Sequence, residues 1–225
     1  MNALPNEKKR RVVIVEDHPM FSEQLRLLID QEDDLVVCGE ADNARQALQM
    51  ITAARPQLAI IDISLKGSGG LDLLKDLRSH EVNVPALVLS MHDESLYAER
   101  ALRAGARGYI TKQQVSSKVM TAIRQVLAGE IYLETQVMRR MVDKVLVKPD
   151  RGSNPIDRLT DRELEVFELI GQGRTTREIG YRLSVGFTTV DTYRARIKEK
   201  LKLDNAAQLH AEAARWVSER GAACN

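Results

Sequence analysis

Acidic, hydroxyl and amino side chains follow several apolar runs of this chain, in a pattern suited to phosphate chemistry. The run "VVIV" is followed by Glu16 and Asp17, "LAII" by Asp62, and two later runs lead to Ser90 and Lys112. Adjacent carboxylates repel each other unless a cation neutralises them, and Mg²⁺ prefers such hard oxygen ligands. A carboxylate can also act as a nucleophile that forms an acyl phosphate, with a metal and a lysine neutralising the phosphoryl group. The alternative interpretation is a set of solvated strand ends.

The runs that carry these residues alternate with helical patterns between residues 11 and 128. The apolar runs are "RVVIV", "LVVCGE", "QLAIID", "PALVLS" and "RGYIT". Strands that alternate with helices in this way predict an α/β fold with a doubly wound, five-stranded parallel sheet. Ligands of such sheets bind beyond the carboxyl ends of the strands, so we expect the polar residues to converge at one edge.

The rest of the chain has a different organisation. Residues 131–155 contain a stretch that could hold a helix, and they end in "KPDRGSNP", whose composition is typical of a linker. Residues 156–220 show helical patterns without a convincing strand. Thr160 stands three residues before Glu163, which is the spacing of a capping box at a helix start. The sequence therefore predicts a domain at 10–130, a linker with a helix at 131–155 and an all-α domain at 156–220.

A second constellation lies in this all-α domain, where the short helix "REIGYRLS" and the turn "VGF" precede a basic helix. We expect Val190, Ile197 and Leu201 of the second helix to face inward. From Phe187 to Lys202 there are five basic and two acidic residues. Helices that enter the major groove combine small or polar residues near their start with cations further along. The residues expected near the bases are Thr188, Asp191, Thr192 and Ala195. The expected phosphate contacts are Arg194, Arg196, Lys198 and Lys200. The alternative is an ordinary amphipathic helix with a solvated basic face.

Composition narrows the class of protein further. The chain has 225 residues, of which 44% are hydrophobic, and 33 basic residues nearly balance 32 acidic ones. No apolar stretch approaches the roughly 20 residues needed to span a bilayer, so no membrane partner is expected. Two cysteines far apart in sequence suit a reducing compartment, which favours a cytoplasmic location.

Residues 10–128 resemble the receiver domain of two-component response regulators, which has a flavodoxin-like fold. The resemblance is carried by an acidic pair, an aspartate with a glycine eight positions later, a serine and the motif "GYITK". The matching residues are Glu16, Asp17, Asp62, Gly70, Ser90, Tyr109 and Lys112. The resemblance implies that a sensor histidine kinase phosphorylates Asp62 and that Lys112 contacts the phosphate. It also implies that Ser90 and Tyr109 switch together.

The same resemblance implies a Mg²⁺ site. Its ligands are Glu16, Asp17, Asp62 and the backbone carbonyl of Ser64. Glu16 stands where aspartate is frequent, and its longer side chain should reach the metal through water. His18 follows the acidic pair, but because Mg²⁺ prefers oxygen we interpret it as a hydrogen-bonding partner or helix-start residue.

Residues 159–214 resemble the helix-turn-helix of the LuxR/FixJ type, through "LTDRELEVFELIGQGRTTREIGYRLSV", "TVDTYRARIKEKLKL" and "NAAQL". Joined to a receiver, this domain is similar to those of NarL/FixJ-family transcriptional regulators. The resemblance implies double-stranded promoter DNA as a partner, a homodimer formed on phosphorylation and RNA polymerase as a further partner. It implies no enzyme beyond a protein that catalyses its own phosphorylation and dephosphorylation.

Two other classes of protein share part of this pattern. A phosphatase of the haloacid dehalogenase type also uses a strand-end aspartate and Mg²⁺, but it usually has a second aspartate two positions later, where Ser64 stands here. A phosphate-independent adaptor with a degenerate receiver is the other alternative. The complete set of Asp62, Ser90 and Lys112 argues against it.

Overall fold

The computed structural model describes residues 9–65, 67–91, 94–146 and 155–222. The chain divides into two compact units, with the boundary between residues 147 and 148. The stretch 148–154, which makes up most of the predicted linker "KPDRGSNP", lies outside the described residues.

The first unit is built on a five-stranded parallel sheet with the strand order β2-β1-β3-β4-β5. The strands are β1 (Arg10–Val15), β2 (Leu35–Ala41), β3 (Leu58–Asp62), β4 (Ala86–Ser90) and β5 (Gly108–Thr111). The predicted doubly wound α/β fold is confirmed. In this order β1 and β3 are neighbours whose connections leave in opposite directions, which opens a crevice at their carboxyl ends.

Helices cover both faces of the sheet, which explains why its central strands are apolar throughout. Val12, Val13 and Ile14 of β1 are fully buried, and β3 and β4 are buried along their whole length. The helices are α1 (Pro19–Asp30), α2 (Ala44–Ala54), α3 (Gly70–Ser79), α4 (Glu94–Ala104) and α5 (Val115–Leu127). A 3-10 turn at Lys112–Gln114 leads from β5 into α5.

Gly70 allows α3 to begin directly against the end of β3. A Cβ atom at this position would lie 2.0 Å from the backbone oxygen of Asp62, which no side chain could tolerate. The Gly70 N–H donates a hydrogen bond to the backbone oxygen of Ile63 at 2.8 Å. The glycine therefore fixes the return of the chain next to Asp62.

The chain after α5 remains attached to the sheet. The Tyr109 N–H donates to the Tyr132 oxygen and the Tyr132 N–H donates to the Arg107 oxygen, both at 3.0 Å. These bonds form a parallel bridge between Tyr132 and Gly108. The helix predicted within 131–155 is present as α6 (Thr135–Leu146), which packs against α4 and belongs to the first compact unit.

The second unit is all-α over its described residues. A 3-10 turn at Pro155–Arg158 is followed by α7 (Asp161–Gly171), α8 (Thr176–Leu183), α9 (Phe187–Leu201) and α10 (Ala206–Ala222). Its core contains Phe167, Ile179 and Leu209, and the Phe167 ring lies 5.7 Å from the ring of Trp216. Among the described helices of the chain, none is both long and apolar enough to cross a membrane.

Candidate functional site

The carboxylates predicted to converge do lie together at the crevice between β1 and β3. Glu16 and Asp17 follow β1, and Asp62 is the last residue of β3. Glu16 is only 4% exposed, Asp17 is 8% exposed and Asp62 is 1% exposed. Burial of three carboxylates is costly unless positive charge compensates for the lost hydration. The site therefore requires cations, and one of them is supplied by the chain.

That cation is Lys112, the first residue after β5. Its Nζ atom lies 2.6 Å from Glu16 Oε2 and 3.0 Å from Asp62 Oδ2. The side chain is 6% exposed, and Nζ also lies 4.7 Å from the centre of the Phe21 ring. Phe21 was not among the residues predicted from sequence, because nothing in its spacing indicates that α1 turns this ring toward the end of β5.

His18 begins α1 as its N-cap residue, and its side chain is mostly exposed. Its Nδ1 atom lies 3.0 Å from Glu16 Oε1 and 2.9 Å from Asp17 Oδ1, and its backbone N–H donates to Glu16 Oε1 at 3.0 Å. The interpretation of His18 as a hydrogen-bonding and helix-start residue is confirmed by these contacts.

The remaining acceptors fit a divalent cation with oxygen ligands. Glu16, Asp17, His18 and Asp62 each offer one atom, and these atoms all lie within 4.8 Å of one another. Glu16 Oε2, Asp17 Oδ1 and both Asp62 carboxylate oxygens are buried and lack a well-formed hydrogen bond from any described group, although Asp17 Oδ1 faces His18 Nδ1 at 2.9 Å. Both oxygens of Glu16 already face His18 or Lys112. Glu16 Oε2 is paired with the buried Lys112, whereas Asp17 Oδ1 faces the mostly exposed His18. Asp17 is therefore better placed than Glu16 to exchange its present contact for a cation.

Burial raises the pKa of the Asp62 carboxyl above its ordinary value. The ammonium group of Lys112 opposes this change, while the neighbouring Glu16 carboxylate reinforces it. A nucleophilic aspartate must be ionised. Lys112 therefore favours the ionised, reactive form of the Asp62 carboxyl and opposes the effect of burial on its pKa.

The other predicted residues of this site lie at the neighbouring strand ends. Ser90, the last residue of β4, is fully buried and is paired in register with Thr111 of β5. Ser64 follows Asp62 by two positions and is half-buried. Tyr109 is 1% exposed, so its ring already occupies an inward position in this structure.

In the second unit, α8 and α9 form the helix pair predicted from sequence. Val190 and Ile197 of α9 are fully buried as expected, whereas Leu201 is half-buried. Ser184 ends α8 with a left-handed φ of 52°, a conformation that normally favours glycine. The turn therefore forms despite an unfavourable residue, which indicates that the packing of α8 on α9 determines its geometry.

Capping boxes begin both α7 and α8. The one predicted at Thr160 is confirmed, with the Glu163 N–H donating to Thr160 Oγ1 at 3.3 Å and the Thr160 N–H to Glu163 Oε2 at 2.8 Å. A second box joins Thr175 and Glu178 with the same pair of hydrogen bonds. This second box was not predicted from sequence, although "TTRE" contains the same signature.

Some of the side chains predicted to contact DNA are exposed, and others are half-buried. Thr188, Asp191, Thr192, Ala195 and Arg196 are exposed at the start and middle of α9, while Arg194, Lys198 and Lys200 are half-buried. The Thr192 hydroxyl donates to the Thr188 carbonyl at 2.9 Å.

Two of the half-buried cations in α9 contact other helices. Arg194 donates to Thr176 Oγ1 at 2.9 Å and lies 3.0 Å from His210 Nε2. Lys200 Nζ donates to Glu163 Oε2 at 2.6 Å. These contacts were not predicted from sequence, because they depend on how the helices cross.

Sequence comparisons agree with both units. Residues 12–124 match the response regulator receiver domain, and residues 157–213 match the bacterial regulatory proteins of the luxR family. The chain therefore belongs to the NarL/FixJ family of two-component response regulators, which are transcription regulators with a receiver and a LuxR-type DNA-binding domain.

Two relatives match along nearly their whole length. The chain is 31% identical over 200 residues to response regulator GacA of Pseudomonas syringae pv. syringae (strain B728a), covering 88% of this chain and 92% of that protein. It is 27% identical over 216 residues to the nitrate/nitrite response regulator protein NarL of Escherichia coli (strain K12), covering 96% and 98%.

A solved structure of RcsB from Salmonella enterica serovar Typhimurium has a TM-score of 0.60 to this chain at 22% identity. The match covers 92% of this chain and 98% of that one. At this identity the likeness supports the fold, in agreement with the sheet order and helix pair described above.

Proposed function

We propose that Asp62 is phosphorylated by a sensor histidine kinase in a Mg²⁺-dependent reaction, and that this controls dimerisation and sequence-specific binding to promoter DNA. The observation that carries the proposal is the position of Asp62. Its buried carboxylate ends β3 beside the acidic pair, with Lys112 Nζ 3.0 Å from Oδ2.

The chemistry assigned to this site is one transfer of a phosphoryl group. An Asp62 carboxylate oxygen attacks phosphorus, and the new P–O bond forms as the P–N bond to the phosphohistidine of the kinase breaks. Lys112 neutralises charge on the phosphoryl oxygens. The attack requires an ionised Asp62, and the ion pair with Lys112 favours that form. Dephosphorylation is the attack of water on phosphorus, which breaks the P–O bond to Asp62 and releases inorganic phosphate. Beyond these two steps on its own aspartate, we assign the chain no enzyme activity.

Asp17, Asp62 and the backbone carbonyl of Ser64 would hold Mg²⁺, with Glu16 in a supporting position. The bound cation supplies neutralisation of negative charge among the carboxylates and phosphate oxygens. The buried oxygens of Glu16, Asp17 and Asp62 that lack well-formed hydrogen bonds support this assignment.

Ser90 and Tyr109 are the residues through which phosphorylation of Asp62 would change the packing of the receiver. A phosphoryl group adds negative charge and acceptor oxygens next to Ser90, whose hydroxyl can donate to it. Movement of Ser90 changes the space available to Tyr109 on the adjacent strand β5. We assign to this pair the repacking that shifts a monomer–dimer equilibrium.

In the DNA-binding domain, α9 is the proposed recognition helix. The exposed side chains of Thr188, Asp191, Thr192 and Ala195 face bases in this proposal, and the cations contact phosphates. Arg196 is the best exposed of these cations, while Arg194 and Lys200 are also held by neighbouring helices. A single helix reads few base pairs, so two copies on a two-fold-related site would supply specificity.

The deciding experiment is incubation of the full chain with acetyl phosphate and Mg²⁺, followed by intact mass measurement. The expected product carries one acid-labile phosphoryl group per chain, and Asp62→Asn abolishes it. Asp76→Asn, at an exposed position on α3, is the matched control and should be labelled like wild type. Full labelling of Asp62→Asn would contradict the proposal, and continuous hydrolysis of phosphomonoesters would favour a phosphatase.

The DNA part of the proposal needs its own measurement. RcsB was solved bound to a promoter in the presence of the phosphomimetic BeF3-. Selection of binding sites from random DNA by the BeF3-treated full chain should yield a two-fold-related sequence. Equal recovery of all sequences by the treated chain would contradict sequence-specific binding.

A further inference from the structure

An exposed aromatic pair lies at the junction of α8 and α9, outside the set of residues proposed to contact DNA. Tyr181 is 66% exposed and Phe187 is 48% exposed, although large aromatic side chains usually bury most of their surface. Their ring centres are 6.0 Å apart at an interplanar angle of 78°, an edge-to-face arrangement. The pair is therefore ordered by mutual contact while about half of its surface faces solvent.

Gly180 fixes the position of the Phe187 ring. A Cβ atom at residue 180 would lie 2.9 Å from Cδ1 and 3.1 Å from Cε1 of Phe187. The absence of a side chain on this part of α8 allows the ring to pack against the helix on one side. Phe187 thus presents a rigid apolar surface at the first residue of α9.

The surroundings of the pair are basic. The guanidinium carbon of Arg177 lies 5.8 Å from the centre of the Tyr181 ring, and Arg182 is also exposed on α8. The nearby Glu178 is engaged in the capping box with Thr175. An apolar surface flanked by arginines suits DNA better than an apolar protein partner, because phosphates surround the base edges of the groove.

We infer that Phe187 contacts the methyl group of a thymine in the major groove, while Tyr181 and Arg177 face the adjacent sugar and phosphate. The inference rests on the proposed DNA-binding function and adds a specificity-determining residue to it. Helix-turn-helix proteins place the first residues of the second helix at base edges and the first helix across the backbone. Phenylalanine is among the side chains that make apolar contacts with the thymine methyl.

Replacement of single thymines by deoxyuridine in the selected site provides the test, because it removes only the methyl group. Wild-type full chain should bind roughly fourfold more weakly at one such position in each half-site, which corresponds to about 0.8 kcal/mol for one buried methyl group. Phe187→Ala should bind the thymine and deoxyuridine sites equally. Phe187→Leu and Tyr181→Phe keep apolar contact or ring packing, and both should still discriminate.

The wild-type measurement alone can overturn the inference, whatever the folding of the variants. If no deoxyuridine substitution weakens wild-type binding, or if Phe187→Ala folds and discriminates like wild type, Phe187 does not contact a thymine methyl. The proposed DNA-binding function would survive that result.

Loss of transcription activation by Phe187→Ala with unchanged DNA binding would assign the pair to a protein partner and also refute the inference. Absence of sequence-specific binding by wild type would overturn both proposals.

Discussion

Lys200 and Glu163 form an ion pair between α9 and α7, with Lys200 Nζ 2.6 Å from Glu163 Oε2. The glutamate is 2% exposed and also completes the capping box at the start of α7. The same carboxylate therefore stabilises one helix end and holds the C-terminal part of the recognition helix. This contact gives Lys200 a structural role in addition to the phosphate contact proposed from the sequence.

Lys200→Ala should consequently change stability as well as DNA binding. We expect the free energy of unfolding of the second unit to fall by about 1 kcal/mol, since the lost hydrogen bond involves charged groups but is partly exposed. Urea unfolding followed by fluorescence of Trp216, the single tryptophan, measures this change. Lys198→Ala is the matched control and should instead lower the salt slope of DNA binding by about 1. Unchanged unfolding of Lys200→Ala would refute the structural role.

The pH dependence of the second unit should follow Glu163. Burial acts to raise the pKa of this carboxyl, but hydrogen bonds from Lys200 and Thr160 outweigh it and lower the pKa below its ordinary range. A pKa lowered by folding contributes stability that is present above the unfolded value, about 4.3, and is lost as the pH falls through the folded value. Glu163→Gln removes this contribution.

The measurement is unfolding of wild type and Glu163→Gln between pH 7 and pH 3, monitored through Trp216. The difference in stability should be largest near neutral pH and should shrink as the pH falls below about 4. A difference that stays constant over the whole range would show that protonation of Glu163 does not contribute.

The two members of the acidic pair should differ in their effect on Mg²⁺. Glu16 Oε2 is paired with the buried Lys112 at 2.6 Å, whereas Asp17 Oδ1 faces the mostly exposed His18 at 2.9 Å. Asp17→Ala should therefore abolish Mg²⁺ binding measured by calorimetry and Mg²⁺-dependent labelling of Asp62. Glu16→Ala should weaken both less severely. Equal losses in the two variants would contradict the supporting role of Glu16.

The fold of the first unit could be predicted because its strands are covered on both faces. The runs "RVVIV", "LVVCGE", "QLAIID", "PALVLS" and "RGYIT" located every strand to within one residue at each end. Parallel strands then place their carboxyl ends at one edge, which predicted that Glu16, Asp62 and Lys112 lie at that edge. Their contacts also depend on the strand order β2-β1-β3-β4-β5, which places β3 beside β1 and which the sequence pattern did not predict.

The contacts that could not be predicted join elements with no fixed spacing between them. Glu163 and Lys200 are 37 residues apart, and their pairing depends on the crossing of α7 and α9. The bridge from Tyr132 to Gly108 is likewise formed by a single pair of residues, without the periodic pattern that identifies a strand. Propensity and periodicity describe local structure, whereas these contacts arise from the positions of distant helices and strands.

Ser90→Ala should separate phosphorylation from its structural consequence. Ser90 is fully buried at the end of β4 and is not required as a nucleophile, so the variant should accept phosphate on Asp62. Without the hydroxyl, residue 90 cannot donate a hydrogen bond to the phosphoryl group, so the space available to Tyr109 should not change. Sedimentation velocity of labelled chains should show a phosphate-dependent increase in dimer for wild type and little change for Ser90→Ala. The proposed switch fails if the two proteins respond identically.

Asp191 should determine one base of the binding site. It is exposed near the start of α9, where a carboxylate can accept a hydrogen bond from cytosine N4. Asp191→Ala should relax the preference at that position by roughly 1–3 kcal/mol. It should also raise affinity for DNA in general, because a negative charge near phosphates is removed. Asp191→Asn should shift the preference toward adenine, since an amide can both donate to and accept from that base. Titrations against single-base variants of the selected site measure these effects. The matched control is Glu199→Ala, which removes an exposed carboxylate further along α9. If Asp191→Ala and Glu199→Ala raise affinity equally for every sequence, Asp191 acts only through its charge and does not read a base.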